Sequence, residues 1–296
     1  MRVAEAAERA IETNVGSVDL AETQTVRVAG AAAKTVAVTE NLRSLHMPGK
    51  PLVLVNAWDA ASARIVEAAG SRAVATTSAG VAWSLGAPDG DALSRDDAVA
   101  LVRRVVRAVR VPVTADIESG FGVEPEDVAT TVRAVVAAGA AGVNIEDGAR
   151  GVEEQTARLA AARAAAGAEL FINARLDAYL RGAGDVDEVV ARASAYLDAG
   201  ADGIFVPGVT DPETVGTLAA KIPAPLNVMA GAGGPSVAEF AALGVARVSL
   251  GSAVAQAAYA VARHAAEEAL TTGTYAAVAD ALEYGGLNGL MRGYSA

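Results

Sequence analysis

The sequence predicts an α/β protein whose strands close into a (β/α)8 barrel, and three observations carry that expectation. From about residue 52 onward, short apolar runs alternate with longer helical patterns, and there are eight such runs. The runs are too uniformly apolar to have a solvent face, as expected of parallel strands covered on both sides. At 296 residues the chain has a length at which such barrels commonly form one domain. The competing architecture is a doubly wound open sheet, but no G-x-G-x-x-G follows the first strand.

The predicted strands are Leu52–Asn56, Ala73–Thr77, Val111–Ile117, Gly142–Glu146, Leu170–Arg175, Gly203–Pro207, Leu226–Ala230 and Arg247–Leu250. Between them lie amphipathic stretches that read as helices: Asp96–Val109, Pro125–Ala138, Val186–Ala199 and Asp211–Lys221. Asp59 reads as the N-cap of a helix over Ala60–Ala69. Ala69-Gly70, Ala138-Gly139 and Ala199-Gly200 read as helix stops just before a strand. A long helix is expected from Leu250 to about Leu270, and a shorter one from Thr274. The expected domains are an N-terminal extension over 1–40, the barrel over 41–270 and a helical tail over 271–296. Within the extension, an alanine-rich helix precedes two alternating segments, Thr25–Val28 and Thr35–Thr39, read as short strands.

Composition narrows the chemistry. With 52% hydrophobic and 20% charged residues, the chain reads as a soluble globular protein. A net charge of −11 argues against a nucleic-acid partner. No run reaches the roughly eighteen apolar residues of a membrane span, so no membrane partner is expected. The first residues carry Glu5 and Glu8 where a signal peptide needs apolar side chains, and a cytoplasmic protein is expected. There are no cysteines, which excludes disulfides, thiolate nucleophiles and zinc–thiolate sites. Lys34, Lys50 and Lys221 are the lysines; Lys50 and Lys221 precede strands, the wrong end for a Schiff base. His46 lies before the first strand and His264 in an alanine-rich helix, so both read as surface or packing residues. Carboxylates, arginines, hydroxyls, amides and a bound metal remain.

In such barrels chemistry sits where strands end. The third strand ends in Asp116-Ile-Glu118, and alternation sends both carboxylates to one side. The fourth ends in Asn144-Ile-Glu146-Asp147. Like charges buried together need a compensating partner, and hard oxygen ligands suit Mg²⁺. Thr76-Thr-Ser-Ala-Gly80 offers small residues whose N–H groups could bind an anion, or simply a turn out of the strand. Asp89, in Pro88-Asp-Gly90, reads equally as a turn residue. Arg175 is a carboxylate clamp or a charge partner for one of the acids. Asn227 begins Asn227-Val-Met-Ala-Gly-Ala-Gly-Gly-Pro235, whose glycine-rich part could hold an anion at the following helix.

In order along the chain, Asn56-Ala-Trp-Asp-Ala-Ala-Ser-Ala-Arg64, Thr76–Gly80, Asp116-Ile-Glu-Ser-Gly-Phe-Gly122, Asn144–Asp147 and Asn173-Ala-Arg-Leu-Asp177 resemble the isocitrate lyase / phosphoenolpyruvate mutase superfamily over roughly 41–270. The resemblance implies a Mg²⁺- or Mn²⁺-dependent barrel acting on a 2-oxo acid or its enolate. It also implies a homo-oligomer, a dimer of dimers exchanging the last helix. By motif, Asp116, Glu118 and Glu146 match metal ligands, and Asp89 an acid near the metal. Thr77, Ser78, Ala79, Arg175 and Asn227 are expected to bind substrate, with Asp89, Glu146 and Arg175 in the catalytic set. The family's lyases carry a Lys-Cys-Gly-His type segment after the fourth strand; here it reads Asp147-Gly-Ala-Arg-Gly-Val-Glu-Glu-Gln155. The lysine- and asparagine-bearing gate of the phosphonate mutases is absent as well.

The expected activity is therefore C–C bond lysis by a lyase, decarboxylase or hydrolase of an oxaloacetate- or methylisocitrate-like substrate. Three alternatives stand beside it: phosphonate P–C chemistry, a 2-oxo-acid binder without turnover, and a flavin- or phosphate-binding barrel using Gly231–Pro235 and Gly251-Ser252.

Overall fold

The computed structural model describes residues 38–292 apart from residue 40. Thr25–Val28 and the start of Thr35–Thr39 lie outside those residues. Val38 and Thr39 are helical rather than extended. Val38 packs with Leu42 and Leu45 at helical spacing, and the Thr39 hydroxyl donates to the Glu169 carbonyl at 2.7 Å.

Nine short parallel strands form the sheet, with the first two acting as one. β1 (Leu52–Leu54) and β2 (Asn56–Ala57) are consecutive pieces of the first barrel strand, separated at Val55. β1 pairs with the last strand and β2 with the next in sequence, so the sheet closes on itself. The others are β3 (Val74–Thr76), β4 (Val113–Asp116), β5 (Gly142–Glu146), β6 (Phe171–Arg175), β7 (Gly203–Val206), β8 (Leu226–Met229) and β9 (Arg247–Ser249). This is a (β/α)8 TIM barrel. Asn56 reinforces the closure, its Oδ1 accepting from the backbone N–H groups of Leu250 and Gly251 at 3.1 and 3.0 Å.

The helices are α1 (Ala60–Ala68), α2 (Ser78–Ser84), α3 (Arg95–Ala108), α4 (Pro125–Ala138), α5 (Val152–Ala166), α6 (Val186–Asp198), α7 (Pro212–Lys221), α8 (Val237–Ala242), α9 (Ala253–Thr271) and α10 (Tyr284–Arg292). Asp59 caps α1 as expected, accepting from Ser62 N. In α4 the buried residues Val128, Val132 and Val135 recur at helical spacing and face the strands. Burying each fully contributes roughly 1.5–3 kcal/mol. Gly139 ends α4 at φ 92°, a left-handed turn that side-chain-bearing residues resist. α2 departs from the turn expected over Thr76–Gly80, because Ser78 already opens a helix.

Strand residues alternate between two environments. Val143, Ile145, Ile172, Ala174, Ile204, Val206, Val228 and Val248 face outward into the helix layer and form the main core. The opposite faces carry Asn144, Asn173, Asn227, Arg247 and Ser249, all buried. Arg247 on β9 donates to Asn144 Oδ1 on β5 at 3.3 Å, and these strands are not neighbours in the sheet. The bond therefore crosses the barrel interior, where these polar side chains share the inward face with Leu52, Leu54 and Phe171. Below it His46 is buried and stacks on Phe171 with ring centroids 4.2 Å apart, so it plugs the barrel floor rather than lying on the surface. Among the described residues, no helix is long and apolar enough to cross a membrane.

Candidate active site

The predicted acids collect at the C-terminal strand ends, each held by a different element. Asp116 ends β4; its backbone N–H donates to Thr76 Oγ1 at 2.8 Å. Its Oδ2 accepts from the Ser78 hydroxyl at 3.1 Å and the Ser78 N–H at 3.3 Å. The start of α2 thus holds an acid of this chain, while Asp116 Oδ1 is buried without a partner. Asp89 lies beside this pair. Desolvation and the Asp116 charge raise its carboxyl above the ordinary value, with the Ser78 hydroxyl working against them.

Glu118 follows at φ 51°, in the left-handed region, as does Phe121 at φ 54°. Such positions cost about 1–3 kcal/mol each unless the surroundings hold them. Two arginines do so. Arg158 of α5, fully buried, donates to the carbonyls of Ser119 at 2.6 Å and Gly122 at 2.9 Å, and also to that of Val123. Arg95 of α3 donates to the Phe121 carbonyl at 3.1 Å. From the other side Asp91 N–H bonds Glu118 Oε2, and the Ser119 hydroxyl bonds Asp91. Glu118 Oε1 stays buried and unpartnered. Burial, followed by the charges of Asp91, Asp89 and Asp116, pushes the Glu118 carboxyl up to about 7 against the Asp91 N–H bond.

Glu146 ends β5 opposite Arg175 of β6, its register partner. Arg175 Nη1 meets Glu146 Oε2 at 2.7 Å. Its Nε and Nη2 fork onto Asp177 at 2.7 and 3.3 Å, and Phe205 lies under the guanidinium at 5.9 Å. Burial outweighs the Arg175 charge at Glu146, and repulsion from Asp116, Asp177 and Glu118 adds to it, pushing this carboxyl up to about 8. Asn227 stands on β8 in register with Phe205, which pairs in turn with Arg175, and its Nδ2 is buried without a partner. It is buried inside the barrel, two residues before Met229 at the strand end, with its Oδ1 accepting from Ser249 at 3.1 Å.

Among the described residues, no three His, Cys, Asp or Glu side chains close on one point as direct metal ligands. The donor set nevertheless suits a hard divalent cation that retains water. Asp116 Oδ1 and Glu118 Oε1 are buried oxygens without partners, and the Glu118 and Glu146 carboxyls are pushed up by burial and by the charges of neighbouring acids, which a cation relieves. Sequence reasoning missed Asp91, Arg158 and the Asp177 fork. The Arg-x-Asp spacing of Arg175 and Asp177 was visible, whereas Asp91 and Arg158 reach the loop only through tertiary folding.

A parallel barrel with acids and an arginine gathered at the C-terminal strand ends has the layout of an enzyme's active site. The phosphoenolpyruvate phosphomutase family model matches residues 42–270, and the chain belongs to that family, within the isocitrate lyase / phosphoenolpyruvate mutase superfamily of lyases, mutases and hydrolases. An uncharacterized Mycobacterium tuberculosis protein is 41% identical over 231 residues, 76% of this chain and 87% of its own length. The 2-methylisocitrate lyase of Escherichia coli is 34% identical over 193 residues, 57% of this chain and 64% of its own length. Among solved structures, a Burkholderia cenocepacia J2315 protein provisionally named a phosphonomutase is 45% identical with a TM-score of 0.75, over 77% of this chain and 98% of that one. Phosphonopyruvate hydrolase in complex with oxalate and Mg²⁺ is 27% identical with a TM-score of 0.76, over 86% of this chain and 95% of that one.

Proposed function

We propose that the chain is a Mg²⁺- or Mn²⁺-dependent enzyme of a 2-oxo acid or its enolate that lyses a C–C bond. The substrate class is oxaloacetate- or methylisocitrate-like, and the reaction that of a lyase, decarboxylase or hydrolase. The observation that carries the reading is the meeting of Asp116, Glu118 and Glu146 with Arg175 at one strand-end face.

In this reading Asp116, Glu118 and Glu146 would hold the metal. Such a metal would supply Lewis acidity toward a 2-oxo acid. Arg175 grips the substrate carboxylate, and Asp177 keeps its fork oriented. The backbone N–H groups that open α2, at Ser78 and Ala79 after the N-cap Thr77, add donors beside the acid cluster. Asp89 and Glu146 are the candidate proton carriers, since both carboxyls are raised toward the range in which an acid can give and take a proton.

Association with further copies of the chain is part of the proposal. Ala255 is the one buried residue of α9, which leaves Tyr259, Val261 and Leu270 exposed. A cavity of about 480 Å³ lined by Leu52, Val55, Ile65 and Val66 lies at its start, beside Val254. Covering such apolar surface favours association.

A panel of 2-oxo acids incubated with enzyme and Mg²⁺, with loss of substrate and release of pyruvate or oxalate followed by chromatography, tests the activity. Turnover of one member that disappears with chelator is the expected result. Binding without turnover across the panel would leave a 2-oxo-acid binder instead.

A further inference from the structure

Behind Arg175 lies a second buried carboxylate that faces away from the acid cluster. Asp147 follows Glu146, and its side chain is 2% exposed. Its backbone N–H donates to the Arg175 carbonyl at 3.0 Å. In return its Oδ1 accepts from the Asp177 N–H at 2.9 Å, so Asp147 grips the chain on both sides of Leu176. Asp147 Oδ2 accepts from the Tyr196 hydroxyl at 2.9 Å. Tyr196 stands on α6, fully buried in the outer core. Arg192, one turn earlier, reaches Asp147 Oδ2 at 3.5 Å and the Arg150 carbonyl at 3.2 Å. One carboxylate therefore joins the loop after β5, the Arg175–Asp177 arm and α6.

We propose that Tyr196 and Asp147 are a positioning pair that sets the Arg175 fork for a substrate carboxylate, which rests on the reading of Arg175 as the clamp. The physical argument is one of constraint. An arginine delivers two parallel bonds to a carboxylate only when its plane is fixed. Asp177 fixes that plane, and the Asp177 backbone is itself fixed by Asp147. Asp147 in turn is a buried charge whose position depends on its donors, and the phenol is the one supplied from outside the two loops at normal bonding distance. Burial and the Asp147 charge raise the phenol well above its usual value, so it remains a donor across the working pH range. Removing that hydroxyl leaves the α6 packing in place and loosens the arm two bonds away.

The test is Tyr196→Phe, which keeps the ring, with Asp147→Asn as a second variant that keeps the shape and removes the charge. Oxalate affinity in the presence of Mg²⁺, by calorimetry, should fall about five- to twenty-fold in Tyr196→Phe, part of the roughly 10–150-fold that one hydrogen bond to a charged group represents, because the lost bond lies behind the clamp rather than in it. Mg²⁺ affinity alone should change less than twofold. The Nε–H resonance of Arg175, assigned by its loss in Arg175→Lys, should exchange with solvent faster in both variants than in the unaltered chain. Unchanged oxalate affinity and unchanged Nε–H exchange would overturn the proposal, as would parallel losses of oxalate and Mg²⁺ affinity. If the unaltered chain binds no oxalate, the clamp reading of Arg175 fails, while the exchange measurement still decides whether Tyr196 and Asp147 hold the arm.

Discussion

Replacing Arg175 by lysine separates the two roles this residue can have. The guanidinium makes three short contacts: Nη1 to Glu146 at 2.7 Å, Nε to Asp177 at 2.7 Å and Nη2 to Asp177 at 3.3 Å. A lysine ammonium keeps the charge but cannot span both carboxylates in that plane. Two bonds between charged groups are lost, each worth about 1.5–3 kcal/mol. Because the side chain is 18% exposed, water can replace part of this, and a net loss of about 2–4 kcal/mol is expected. For a chain of 296 residues that corresponds to a fall in Tm of about 3–6 °C. Oxalate affinity with Mg²⁺ should fall roughly 10–100-fold, the equivalent of one fork reduced to a point charge. Differential scanning calorimetry and isothermal titration read the two quantities separately. A lower Tm with unchanged oxalate affinity would make Arg175 a structural ion pair and refute its role as clamp.

The remaining expectations concern the acids. Mg²⁺ or Mn²⁺ with oxalate should raise the Tm of the unaltered chain, and Asp116→Ala should abolish that rise; a full response in the variant would remove Asp116 from the metal site. Folded-state values of about 7 for Glu118 and about 8 for Glu146 stand above the ordinary 4.5, so between these limits the folded chain keeps protons that the unfolded chain has released. Stability without divalent metal should therefore decline as pH rises from about 5 through 8, and a Tm that climbs over that interval would contradict the shifts. Alanine at Glu153 or Glu154 should leave turnover within a few-fold, because both open α5 and the Arg150–Glu154 pair is half in solvent, whereas alanine at Glu146 should remove it. Large losses at Glu153 or Glu154 with normal circular dichroism would place the missing acid/base group in that segment.

Much of the barrel was legible because its signals are local. Periodicity marks Gly142–Glu146 and Pro125–Ala138 to the residue, and Ala138-Gly139 marks a stop because a left-handed glycine is a local requirement. The helix at Ser78 escaped notice since Ser-Ala-Gly-Val-Ala is as compatible with a turn as with a first helical turn; packing decides, with a Cβ at Gly80 meeting Thr77 Cγ2 at 2.8 Å and Trp58 Cβ at 2.9 Å. Strand tilt and stagger determine how deep an inward residue lies, and a single sequence does not carry that information. The same holds for Arg247, whose partner Asn144 is 103 residues away across the barrel.

The supports explain how acids that repel one another can be held together. Asp116 and Glu118 follow one pattern: one oxygen is tied down and the other left without a partner. Ser78 takes Asp116 Oδ2, and the Asp91 N–H takes Glu118 Oε2. Glu146 has Oε2 engaged by Arg175. The anchors of Asp116 and Glu118 come from the connection between β3 and α3 and that of Glu146 from β6, so movement of one loop does not release the whole set. Geometry of this kind fixes side chains before a ligand arrives and reduces the ordering cost of binding. It also makes the strained backbone at Glu118 intelligible. A relaxed residue there would carry the carboxylate along another path, and three carbonyl bonds from Arg158 hold the loop against that relaxation. The loop's conformation therefore depends on a buried guanidinium from α5, in the strand–helix unit that also carries Glu146, which couples the β4 and β5 contributions to the site.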